Sequence, residues 1–183
     1  MGNLFANQDI QGFFQNAINK DFARTNLFRV VSITVPAAGI VFDETDLVYV
    51  TSTTLPDREI SNISVPFMGL AFNIPGTAKY PGSAGWNITF RVGQDLQVRN
   101  KLEAWSRSIF DDATSTGTYG AGSLGNVNLA LMDKTGIPIA SYNLIGAYLQ
   151  KLGTWILNTT EDGKIVESQA TIAYQYWTND LVP

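Results

Sequence analysis

Three carboxylate pairs, Asp111/Asp112, Glu44/Asp46 and Glu161/Asp162, are the residues best suited by type and spacing to do chemistry. Paired carboxylates can divide acid and base roles across a glycosidic bond when they face each other over a cleft. Here each pair lies in a turn-like stretch, where such residues more simply close the turn and face water. No enzyme is expected. The 183 residues include no cysteine and no histidine. That removes disulfides, thiolate and Ser-His-Asp nucleophiles, and nearly every zinc or haem site. A carboxylate-only calcium or magnesium site stays open, but no EF-hand spacing is present, and no cofactor is expected.

Three further motifs have ordinary explanations. "GAGSLG" carries Gly120, Gly122 and Gly125 in G-x-G-x-x-G spacing. The dinucleotide fingerprint needs a strand before it and a helix after it; here a helix precedes and a strand follows, so a flexible loop is expected. Asn62, Asn87 and Asn158 head formal glycosylation sequons, which mean little without a secretory signal. Trp86, Trp105, Trp155 and Trp177 could form a sugar-binding platform, but Trp86 and Trp105 each fall on the apolar stripe of their own element and read as core.

Composition narrows the class. The formal net charge is −4, whereas a protein that grips phosphates advertises a basic surface. Charged residues make up 15% of the chain and hydrophobic ones 45%, against about a quarter charged in typical domains. Either this is a Gly-, Asn- and Thr-rich β-protein, or neighbouring copies cover much of its surface, since interface cores are poor in charge. The opening stretch "MGNLFANQDIQGFF" lacks the basic start and apolar core of a signal peptide. Ala6 fails the myristoylation pattern that Gly2 invites. No apolar run approaches bilayer-spanning length, so a soluble product made in a cytoplasm, without a membrane partner, is expected.

The elements that would position these residues follow from periodicity. Residues 7–19 place Ile10, Phe13, Phe14 and Ala17 on one helical face. A charged turn, Asp21 to Arg24, then precedes a first strand over 26–35, which "PAAG" (36–39) ends. Residues 46–54 read as a second strand, Pro56 as a turn, and 59–65 and 67–74 as extended segments around Pro66. Together 46–76 make a long hairpin with a projecting middle. In "GWNITFRV", Trp86, Ile88, Phe90 and Val92 alternate with polar residues, as in a half-buried strand. Helix 95–110 follows, with Val98, Leu102, Trp105 and Ile109 spaced 4, 3, 4 as a core-packing stripe. After a Gly/Ser/Thr-rich loop (111–126) come two strands joined by a turn that suits Gly136 to a left-handed position. The last hairpin is strand 153–158, the turn 160–163 and strand 164–177.

The expected fold is mainly β (α+β): an antiparallel sandwich or barrel with one flanking α-helix and a short N-terminal helix. One domain should span 1–183, with 1–20 an N-terminal helical arm and 53–68 a projecting hairpin loop.

The residues "Asp21-Phe22-Ala23-Arg24-Thr25-Asn26-Leu27-Phe28-Arg29-Val30" resemble the opening D-F-A-R-P-N-L-F of tail tube proteins from contractile-tailed bacteriophages, with Thr25 in place of the proline. The stretch 53–76 resembles that family's hairpin through Leu55, Pro56, Val65, Phe67, Met68, Ile74 and Gly76. Residues 86–105 resemble its strand–helix unit, and the last hairpin, through Gly153, Ile165 and Tyr176-Trp177, fits without a gap. Departures are Ser168 where an aromatic is usual, Gln175 for Asp, Leu149 where a proline usually follows Gly146-Ala147-Tyr148, and a longer 36–46.

The resemblance implies six-membered rings that share one inner β-barrel and stack into a tube. The partners implied are the tail sheath, baseplate and tail terminator proteins, with genomic DNA passing through the lumen without tight binding. The product would be a structural virion protein of a phage tail, assembled in the host cytoplasm. Asp21 and Arg24 would pair across a subunit boundary or merely stabilise their own turn. The segment with Leu55, Pro56, Asp57, Arg58, Glu59, Phe67 and Met68 would contact the neighbouring ring. The alternatives are a tube protein of a related injection or secretion system and, in another class, a β-sandwich carbohydrate-binding module.

Overall fold

The computed structural model describes residues 10–19, 23–80, 85–118, 120, 123–155, 157–160 and 163–181. The N-terminal helix α1 is Ile10–Asn19; the expected start at residue 7 lies outside the described residues. The strands are β1 (Phe28–Val35), β2 (Ile40–Phe42), β3 (Val50–Thr53), β4 (Glu59–Phe67), β5 (Leu70–Lys79) and β6 (Trp86–Arg91). Two short ones, β7 (Phe110–Asp111) and β8 (Thr116–Gly117), pair with each other, and β9 (Gly125–Met132), β10 (Pro138–Leu152), β11 (Glu167–Ala173) and β12 (Tyr176–Leu181) complete the set. Helix α2 is Glu44–Leu47 and helix α3 is Gln97–Ile109.

Two antiparallel sheets share β10. In the first, β2, β1, β9, β10 and β12 lie side by side. In the second the order is β10, β11, β6, β3. The long β10 pairs with β9 and β12 through its first part and with β11 through Tyr148–Leu152. It changes sheets at Gly146, whose φ of 68° lies in the left-handed region and where a Cβ would stand 2.6 Å from the Gln175 side chain. Glycine meets both demands, positive φ and close approach, without strain. Opposite this corner the chain breaks at Tyr174–Gln175 between β11 and β12, so one corner turns two strands.

One core fills the space between the sheets. Trp86, Ile88 and Phe90 of β6 meet Ile33 and Val35 of β1, Leu129 of β9, Leu144 of β10 and Ile172 of β11, all buried. Helix α3 closes it with Val98, Leu102 and Trp105, while Ile109 is partly buried against the same cluster. Each such side chain is worth about 1.5–3 kcal/mol of transfer free energy. The fold is therefore mainly antiparallel β with a flanking helix, as expected. Within one chain neither sheet closes: β2, β3 and β12 each have a single partner strand among the described residues. No described helix is long and apolar enough to cross a membrane.

Three expected elements differ. Residues 46–54 are not one strand, because Asp43 caps α2 through a capping box with Asp46, and only Val50–Thr53 extends. Strand 153–158 is absent from the described residues there: Gly153 N donates to Gln169 O at 2.7 Å and the chain then leaves the sheet. The last strand is two, parted by the corner. Gly136, at φ 81°, takes the left-handed position expected of it.

Candidate functional site

The described residues most in need of a partner form the β4–β5 ribbon, Glu59–Lys79. Among the described residues these two strands pair only with each other. The hairpin therefore lies one strand later than 46–76, because Val50–Thr53 belongs to the second sheet. Its tip is a two-residue turn, Met68 (φ 47°) and Gly69 (φ 80°), flanked by the pair Phe67/Leu70. Two positive φ values make it a type I′ turn, the hairpin geometry that suits a twisted ribbon. Glycine takes such a φ freely, but a methionine pays about 1–2 kcal/mol for it. Met68 is also 89% exposed, so the described residues leave it almost uncovered.

The register assigns the ribbon's faces. Ile63 opposes Ile74, Val65 opposes Phe72 and Phe67 opposes Leu70, so these six side chains share one face. They are between 40% and 64% exposed. From Ile60 to Ala78 there is no charged residue. Since Phe67/Leu70 flank a two-residue turn they form a hydrogen-bonded pair, and pairs alternate from there. Pro66 and Pro75 consequently fall at non-hydrogen-bonded positions, where an N–H would point away from the ribbon. Both outer edges lack a donor there, which disfavours addition of another strand. Near the base a bulge at Ser61 is stitched by its hydroxyl, which accepts from Thr77 N (3.0 Å) and donates to Thr77 O (3.1 Å).

Aromatic residues of the core fasten the ribbon's base. Trp86 Nε1 donates to Thr54 O at 2.6 Å, and Trp177 Nε1 donates to Asp57 O at 3.0 Å. The Tyr174 hydroxyl donates to the same carbonyl at 3.3 Å. Pro56 is buried between these anchors in the chain. Tyr80 meets Tyr174 edge to face at 6.5 Å, and Tyr142 meets Trp177 likewise at 5.6 Å. Burial first, and the nearby Asp57 carboxylate second, push the Tyr174 hydroxyl up to about 12, which keeps it a donor.

The expected contact residues thus separate in space. Leu55, Pro56, Asp57, Arg58 and Glu59 lie at the base; Phe67 and Met68 lie at the tip. Arg24 is exposed and its carbonyl accepts from Leu27 N at 3.2 Å; Asp21 lies outside the described residues. Sequence reasoning missed Tyr174 and Trp177 as clamp residues, and their unpaired polar tips in an apolar stretch were the available signal.

Three of the chemical candidates, Asp111, Glu44 and Asp46, are taken up by structure. Asp111 accepts from Ala113 N and the Thr114 hydroxyl, both at 2.9 Å, and the first of these chiefly holds its carboxyl below the usual range. Glu44 pairs with Arg29 at 3.2 Å. Asp46, buried, and Asp43 both receive Lys101 Nζ, at 2.5 and 2.9 Å. Glu161 and Asp162 lie outside the described residues, as does Gly122, while Gly125 begins β9. Among the described residues no three carboxylates gather to hold a metal. Trp86 and Trp105 are core, Trp155 lies under Arg99 with its guanidinium 5.0 Å from the ring centre, and Trp177 packs on Tyr142. They form no common platform. A groove of about 370 Å³ lies between β1 and α2, lined by Phe28, Val30, Val31, Leu47, Val48, Val50 and Met132 together with Arg29 and Glu44.

No protein-family model matches the sequence, and no curated protein matches it. Structural likeness is extensive. A chain of the anti-feeding prophage baseplate matches with a TM-score of 0.63 at 12% identity, over 87% of this chain and 96% of that one. A chain of the anti-feeding prophage tube-terminating cap matches at 0.61 and 17% identity, over 89% and 93%. One from the sheath–tube complex of an extracellular contractile injection system (PVC) in its extended state matches at 0.58 and 16%, over 92% and 97%. This chain thus shares the fold of these chains, mainly antiparallel β with a flanking helix, in agreement with the fold class expected from its sequence.

Proposed function

We propose that the chain is a structural, non-enzymatic subunit of the inner tube of a contractile injection apparatus, built as six-membered rings that stack. The observation that carries this is the match over nearly the whole length of both chains, with an exposed arm that one subunit leaves uncovered. The open edges of β2, β3 and β12 support it, since edges left unpaired invite aggregation and closing a shared barrel removes them. The arm would contact the neighbouring ring. Sheath, baseplate and terminator would be its other partners, and the tail its location.

In the phage form of this reading, DNA passes through the lumen without tight binding. The outward row Ser32, Asn128, Asn143, Thr178 across β1, β9, β10 and β12 carries no charge, and the chain is net negative. The next row on that face, Arg29, Ala130, Ser141 and Asp180, carries one charge of each sign, so with the net negative charge the chain offers phosphates little to hold. The form in which the tube belongs to an extracellular injection system and carries other cargo is supported by the match to the PVC sheath–tube complex, which is part of such a system.

Negative-stain electron microscopy of concentrated protein, alone and with purified baseplates as template, tests the proposal. Hollow tubes or six-fold rings are expected. Dispersed particles even with template would overturn it and turn attention to a binding module.

A further inference from the structure

The tube reading needs a receptor for the arm, and the chain carries a surface that fits it. We infer that the groove between β1 and α2 receives the arm tip, Phe67-Met68, of a second copy of this chain.

Three observations meet here. First, the tip is an apolar projection held in a costly conformation. Met68 occupies a left-handed position that glycine or asparagine would fill more readily, and it is almost wholly exposed. Strain kept at an exposed position points to a contact outside the chain. Second, the arm cannot dock readily as an added strand, because Pro66 and Pro75 remove donors from its outer edges. That leaves its two faces and its tip for contact, and of these the apolar face and the tip gain from burial. Six side chains of this size at half exposure leave on the order of 600 Å² uncovered, approaching the roughly 800 Å² per partner of a standard interface.

Third, the groove is complementary. Seven of its nine lining residues are apolar, and two of these, Val31 and Val48, are 48% and 72% exposed. Its two charges, Arg29 and Glu44, neutralise each other at 3.2 Å, so an uncharged tip meets no unpaired charge. A volume of about 370 Å³ holds roughly a dozen waters, enough for two large side chains. Knob and hole lie on different parts of one chain, so each copy gives one tip and receives one. Such a contact is heterologous and propagates, as stacking requires.

The absence of cysteine gives a clean background for the test. The double variant Met68→Cys/Val48→Cys, assembled and mildly oxidised, should form a ladder of cross-linked dimers, trimers and higher species. It should form roughly a hundredfold faster than by collision of free subunits, because docking raises the local concentration. Met68→Cys/Leu157→Cys is the control, Leu157 being 76% exposed in another loop. As a second measurement, Met68→Glu should abolish tubes and Met68→Glu/Val48→Lys should restore them. Tubes in which Met68→Cys joins Leu157→Cys as fast, or fails to join Val48→Cys, overturn the groove and leave the tube reading standing. Unmodified protein that forms no tubes or rings with template overturns both.

Discussion

The indole of Trp177 and the carbonyl of Asp57, 120 positions apart, share a hydrogen bond of 3.0 Å that ties β12 to the base of the arm. With Trp86 on Thr54 and Tyr174 on Asp57, this tie sets the direction in which an otherwise unsupported ribbon leaves the sandwich.

Trp177→Phe keeps the aromatic contact with Tyr142 and removes the donor. The cost should be about 1 kcal/mol, a fall in Tm of about 2–4 °C. Amide exchange across Glu59–Lys79 should rise more than elsewhere. An unchanged exchange pattern would show that the arm does not depend on this bond.

Met68→Gly should act with opposite signs on stability and assembly. Relief of the left-handed strain, less the added freedom of glycine when unfolded, should stabilise the free subunit by about 0.5–1 kcal/mol. Loss of the apolar tip should shorten or abolish tubes. Thermal melts and micrographs of one preparation read both, and a parallel change in the two contradicts the assignment of Met68 to contact.

Replacing Glu59–Lys79 by a short Gly/Ser link should leave a folded sandwich, since among the described residues no other strand pairs with the arm. Its melt should stay cooperative, because a lone hairpin adds little stability of its own. Its sedimentation should be that of subunits or single rings, never of stacks.

Ser168 is fully buried on β11, and its hydroxyl has no hydrogen-bond partner among the described residues. Ser168→Ala should therefore raise stability by about 1 kcal/mol, the desolvation cost of an unmatched hydroxyl. A lower Tm would mean that a bound water satisfies the hydroxyl.

The clamp should weaken in alkali. Tyr174 has its folded value raised from 10.0 to about 12, so folding favours its neutral, donating form. Its contribution is complete below pH 10 and is lost as pH rises through about 12. Tyrosinate absorbance should show one late-titrating tyrosine that Tyr174→Phe removes. The same late step in that variant would place it on another residue.

Much of this was legible in the chain. β6 and α3 declare themselves because each buries one face against one core: alternation of two for Trp86, Ile88 and Phe90, and spacing of 4 and 3 for Val98, Leu102 and Trp105. The absence of cysteine and histidine and the low charge also bounded the chemistry before any fold was known. Asp43 three residues before Asp46 was a readable helix start that the apolar run after it obscured.

What tertiary structure alone decided is which apolar faces are covered. Ile63, Val65 and Phe67 alternate as regularly as Trp86, Ile88 and Phe90, yet the first set lies open and the second is core. Period two shows that a strand has an apolar face and cannot show what meets it. That depends on pairing across long separations: β6 lies between β3 and β11, whereas among the described residues β4 has only β5. The corner at Gly146 and the tie from Trp177 to Asp57 likewise arise when distant segments share one space. Local periodicity carries no record of that.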